Sequence, residues 1–138
     1  MLSPSIEQVG LRHARSVWYD ISPLCYLVAG AVRYNQGMRA DAANLCVQAG
    51  LSYLSDVAYL GRASCWHPAD RYMALFTAAF HFATLRSRRA WVLNLATFAV
   101  GWHFLCLSQK HYLASDERFA RAHTVWHLSS IVMALASR

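Results

Sequence analysis

Apolar residues in this chain gather into five runs separated by short polar stretches. The runs cover about residues 21–36, 42–60, 71–85, 90–109 and 119–137, and each predicts a helix. A membrane-spanning helix needs about 20 predominantly apolar residues. The fourth run meets that length without a formal charge, and the second and fifth come close. The first and third are shorter and rely on flanking Arg and Tyr side chains that reach back to the interface. A water-facing helix of such length shows a polar stripe, whereas the fourth run offers only Asn94 and His103. The links contain Gly37, Gly61, Pro68 and the basic stretch 86–89. They are short enough to make consecutive helices antiparallel neighbours. The pattern predicts an all-α fold: a polytopic membrane helical bundle of about five transmembrane helices. It forms one domain, 1–138, with a polar segment at 1–20.

Composition supports this reading. Hydrophobic residues make up 57% and charged residues 14%, against about 25% charged in ordinary soluble domains. The net charge of +6 comes from 13 Lys+Arg against 7 Asp+Glu. Arginines such as Arg86, Arg88 and Arg89 lie between apolar runs, as membrane flanks facing anionic headgroups do. Nucleic-acid binding requires a basic face instead, so the expected partners are membrane lipids and not nucleic acid. Basic residues divide almost evenly between the two sides, which leaves orientation unset. Cys25, Cys46, Cys65 and Cys106 form no CxxC, which excludes a zinc-finger framework. Cys25, Cys46 and Cys106 read as small packing residues. The first twenty residues hold no apolar signal core, so insertion is expected to rest on the first helix.

Ionisable residues inside apolar runs are costly and mark sites or interhelical contacts. Asp56 lies near the end of the second run, Asp70 just before the third, and His123 and His127 in the first half of the fifth. Antiparallel topology brings all four to one end of the bundle. His123 and His127 are spaced i, i+4 and share a helix face, as do Ser52 and Asp56. Two imidazoles and a carboxylate make a three-ligand centre with a fourth position open, the layout of catalytic zinc. Asp70 would then serve as general base. Plainer readings exist. The histidine pair can act as interhelical hydrogen-bond glue, Asp70 can cap a helix start, and Ser52 can bond back to its own helix. His67, read as a loop residue on the same side, is an alternative ligand. His81 and His103 read as packed or hydrogen-bonded histidines, and Trp126 as a packing residue. Trp18, Trp66 and Trp91 suit an interface.

The segment Ala122-His123-Thr124-Val125-Trp126-His127-Leu128 resembles the last-helix His-x-x-Trp-His-Leu motif of the alkaline ceramidases. These belong to the wider CREST membrane superfamily, with the adiponectin/progestin receptors, haemolysin-III-like and myomaker-like proteins. The resemblance implies zinc on His123 and His127, a water-holding Asp70, a supporting Ser52, hydrolysis of lipid amides, and residence in the endoplasmic reticulum or Golgi. Asp56 stands where the family has its first zinc histidine. The family fold has seven helices and this chain about five. Losing two helices between the third and the last preserves the direction of the last, and a homo-oligomer or a longer parent chain are further expectations.

Three functions compete at this point. One is a zinc-dependent hydrolase of ceramide-like lipid amides. The second is a non-catalytic receptor or scaffold of the same fold, which Asp56 and the missing helices favour. The third is an unrelated small helical membrane protein with structural histidines. Covalent c-type haem is excluded because no CxxCH occurs.

Overall fold

The computed structural model describes residues 16–60, 62, 64–111 and 116–137, and among these it holds helices and no strand. Expectations for residues 1–15, for Gly61 and Ala63, for 112–115 and for Arg138 lie outside the described residues. A short helix, α1 (Val17–Ile21), leads into α2 (Leu24–Asn35), α3 (Arg39–Tyr53), α4 (Trp66–Ala83), α5 (Arg88–His111) and α6 (Asp116–Leu135). A π-helical turn, Leu54–Ala58, extends α3.

Local chemistry explains these boundaries. Pro23, with φ of −58°, precedes α2, where a fixed helical φ and a missing N–H cost nothing. Gly37, with φ of 82°, ends α2. Its N–H bonds to Tyr34 O and that of Met38 to Arg33 O, each at 2.9 Å, the paired bonds of a glycine-terminated helix. Ser87 opens α5 by accepting the Ala90 N–H at 3.0 Å, which draws Arg88 and Arg89 into the first helical turn rather than a loop. α4 starts at Trp66, five residues ahead of its apolar run, because Pro68 falls within the first turn, where proline is tolerated. This places His67 on a helix, correcting its reading as a loop residue.

The helices pack in the lateral order α4, α3, α2, α6, α5. Tyr26, Ala29, Leu45, Ala49 and Ala134 fill the seam where α2, α3 and α6 meet. The buried residues of α5 are Ala90, Asn94, Gly101 and Ser108. A Cβ on Gly101 would stand 2.5 Å from Ser129 Oγ, so α5 and α6 approach through a glycine, as membrane helices do.

Polarity is distributed the opposite way from a water-soluble core. Arg33, Asp41, Gln48, Ser52, Asp56, Asn94 and His127 are buried, while Leu24, Val28, Val47, Leu75, Phe76, Val92, Leu95, Val100 and Val132 face outward. Cys46 and Cys106, read as small packing residues, are exposed. His103 is also exposed. Among the described residues one helix, α5, is long and apolar enough to cross a membrane by length and composition.

Candidate metal centre

Two elements deliver the ligand atoms to one end of the bundle. The π turn directs Ser55, Asp56 and Val57 inward together. A wider turn is a frequent device at functional sites. α6 contributes His123 and His127 from successive turns, with ring centroids 4.7 Å apart. One ligand atom from each of Asp56, His123 and His127 lies within 4.8 Å of the other two, and all three residues are buried. Asp56 Oδ2 is 2.9 Å from His123 Nε2 and 3.5 Å from His127 Nε2. A tetrahedral ion with bonds of about 2.0 Å spaces its ligand atoms by about 3.3 Å, so the residues present fit such an ion.

Hydrogen bonds behind the rings fix which nitrogen faces inward. Ser22 Oγ donates its only proton to Tyr19 O at 2.8 Å. It therefore accepts from His127 Nδ1–H at 2.7 Å. Ser108 Oγ likewise donates to Leu105 O at 2.7 Å and accepts from His123 Nδ1–H at 3.4 Å. Both imidazoles thus present bare Nε2 lone pairs to a carboxylate oxygen. Ser52 brings one hydroxyl proton, 3.3 Å from Asp56 Oδ2 and 3.2 Å from His127 Nε2, and can serve only one acceptor. Three converging acceptors with one donor require a positive centre between them, either a proton or a metal ion. Tyr26 closes the cluster edge-on against His127 at 5.2 Å, and Phe119 flanks His123 at 5.4 Å.

The expected supporting residues take up specific positions. Ser52 touches both Asp56 and His127, as above. Asp70 lies past the first turn of α4, where its carboxylate accepts from Gln48 Nε2 at 2.6 Å, so it does not cap the helix start. Gln48 lies one turn before Ser52 on α3, so its bond ties Asp70 to the helix that leads into the cluster. His67 is not a ligand. Its ring bonds to Ser55 Oγ at 2.9 Å and to Arg62 O at 2.8 Å. Ser55 in turn donates to Asp56 Oδ1 at 3.0 Å, so His67 steadies the carboxylate from behind. Ser22, Ser55, Gln48 and Ser108 escaped the sequence reading, since a serine or glutamine in an apolar run gives no sign of what it bonds to.

A second buried network ties the opposite end. Arg33 Nε donates to Asp41 Oδ2. His81 bridges Asp41 and Asn94 at 3.0 Å on each side. Arg33 also reaches Thr84 at 2.9 Å and Gln36 at 2.7 Å. Arg33, near the end of the first apolar run, is among the most buried side chains of the described residues.

No family model, curated protein or solved structure matches the chain.

The role of Ser22 gives a direct expectation. Ser22→Ala leaves all three ligands in place but frees the His127 ring, and losses of this kind weaken metal binding about 10–100-fold. Competition against a chromogenic zinc chelator measures the change.

Proposed function

We propose that the protein is a multi-pass membrane protein that holds a zinc ion on Asp56, His123 and His127 and hydrolyses lipid amides of the ceramide type. The observation that carries this reading is the inward-facing set of acceptors, two bare Nε2 atoms and a carboxylate oxygen, with each ring's outer N–H tied to a serine. The membrane part is supported by the buried polar side chains and the apolar exterior, an arrangement that lipid tolerates and water does not. The hydrolase part rests on the resemblance of the His123–His127 segment to the ceramidase motif and on Asp70 beside the cluster.

Zinc, when bound, polarises an amide carbonyl and makes water acidic enough to attack near neutral pH. The chain's own residues supply the remainder. Asp70, oriented by Gln48, accepts a proton at its carboxylate. Ser52 lies against both Asp56 and His127, and Gln48 holds the base from the same helix. The surrounding apolar side chains exclude bulk water and receive the acyl chain. Nitrogen–oxygen ligand sets also suit other divalent ions, but the carboxylate-plus-two-histidine combination is that of known zinc hydrolase centres.

Reconstituted protein should release fatty acid from a fluorescent ceramide, lose that activity with a chelator, and regain it with zinc. Asp70→Asn should retain the metal while turnover falls about 100-fold or more. Turnover that survives complete metal removal contradicts the proposal.

A further inference from the structure

The helices enclose a narrow cavity of about 40 Å³, with lining residues from α2, α3, α4, α5 and α6. Its walls run from Ala74 to His81 on α4 and from Trp126 to Met133 on α6, in each case about 10 Å of helix. So small a volume over that length admits one unbranched chain and leaves no room for a ring system. The two edge helices of the lateral order, α4 and α5, both border the cavity. They meet through rings beside the turn that joins them, Phe82 lying 5.1 Å from Trp91.

The lining is mostly apolar and aromatic, and several of its polar groups are already engaged. Ser129 and Ser130 Oγ donate to Trp126 O at 2.6 Å and to His127 O at 2.7 Å. His81 is held between Asp41 and Asn94. Two polar atoms of lining residues are different: Gln48 Oε1 and Thr77 Oγ1 are buried and have no hydrogen-bond partner among the described residues. Gln48 cannot relieve this by turning its amide, because its Nε2 faces two acceptors of Asp70, Oδ1 at 2.6 Å and the backbone O at 3.5 Å. A buried polar atom left bare carries its full desolvation cost. Apolar wall lies on both sides of the pair, since Ala74 and Ala78 flank Thr77 and Leu45 lies one turn from Gln48. A water can serve the two oxygens, but apolar space beyond them stays dry. The cavity therefore matches a slender apolar ligand with one hydrogen-bonding group part-way along it.

We propose that this cavity is a binding site for a single fatty acyl chain that carries a hydroxyl group near its middle. The methylenes lie along the apolar walls, and the hydroxyl donates to Gln48 Oε1 or accepts from Thr77 Oγ1. A hydroxyl brings one donor and two acceptor sites. A keto oxygen only accepts and leaves Gln48 Oε1 bare, and an unsubstituted chain leaves both atoms bare. Sites built to pair a ligand hydroxyl reject analogues that lack it, because the site's own polar groups are then stranded. The site goes beyond the hydrolase reading and needs neither the metal nor turnover.

The test uses full-length protein in mild detergent with a fluorescent polyene fatty acid as reporter, displaced by competing fatty acids. The competitors are stearate, stearate hydroxylated at mid-chain, and its mid-chain keto analogue, each corrected for partition into empty micelles. Wild type should prefer the hydroxylated chain to stearate about tenfold or more, with the keto analogue close to stearate. Gln48→Leu, which removes the bare acceptor, should bring the hydroxylated and plain chains within about twofold. Ala74→Leu, which fills the cavity, should weaken both. Equal displacement of the reporter from wild type by hydroxylated and plain stearate overturns the proposal, whether or not Gln48→Leu folds. A folded Ala74→Leu protein that binds every competitor like wild type overturns it too. The preference should persist in His123→Ala/His127→Ala, which upholds the site whatever becomes of the hydrolase reading. Its loss in that variant, once folded, would place the chain at the metal centre and overturn a separate site.

Discussion

Asp56→Ala is expected to abolish metal binding, with affinity falling more than about 100-fold, since even outer-shell losses cost 10–100-fold. Asp56 is the only carboxylate among the three candidate ligands and the only one delivered from α3. Without it, His123 and His127 remain on α6 as a pair of neutral donors, and the bound cation loses its charge partner. Asp56→His provides the contrasting variant. It restores a third nitrogen at the position where the resembled family carries histidine, and it should retain zinc. Titration against a chromogenic chelator distinguishes the two variants. Equal affinity for wild type and Asp56→Ala would mean that the carboxylate is not a ligand.

The second large effect is on stability. Asp41→Ala removes the charged partner of the buried Arg33 guanidinium, and breaking a buried pair from one side costs about 3–5 kcal/mol. Arg33 and Asp41 are among the largest fully buried side chains, so neither can recover its solvation by turning outward. For a chain of this size the loss should lower the unfolding midpoint in detergent by about 10–20 °C. His81 loses its contact in the same step, as its Nδ1 sits 3.0 Å from the same carboxylate oxygen. Replacing both ends of the pair, as in Arg33→Met with Asp41→Leu, should recover part of the loss, since an apolar pair of similar volume leaves no stranded charge. Thermal melts followed by circular dichroism give the comparison. A midpoint unchanged in Asp41→Ala would show that the network contributes nothing to holding this end together.

The two polar clusters differ in how legible they were in the sequence. Asp56, His123 and His127 interrupt apolar runs, and i, i+4 spacing with antiparallel topology was enough to bring them together. Ser52 followed from its spacing to Asp56. The Arg33–Asp41–His81–Asn94 network was missed because Arg33 and Asp41 lie near run ends, where charge is normally taken as a water-facing flank. The topological argument applied to the metal end would have gathered them too, since all four approach the same opposite end. The π turn left no trace, because Leu54–Ala58 has the composition of ordinary helix. The early start of α4 was hidden by Pro68, placed in a link although it lies in the first turn. The all-helical class was legible throughout, because it rests on run length and period rather than on any single residue.

The central claim is that Asp56, His123 and His127 hold a metal ion. Elemental mass spectrometry on protein purified in mild detergent without chelator tests it most directly, with His123→Ala/His127→Ala as the control. About one zinc per chain in the wild type, lost in the double variant, is the predicted result. A well-folded wild-type preparation without metal would contradict the account and leave the three residues joined by a proton.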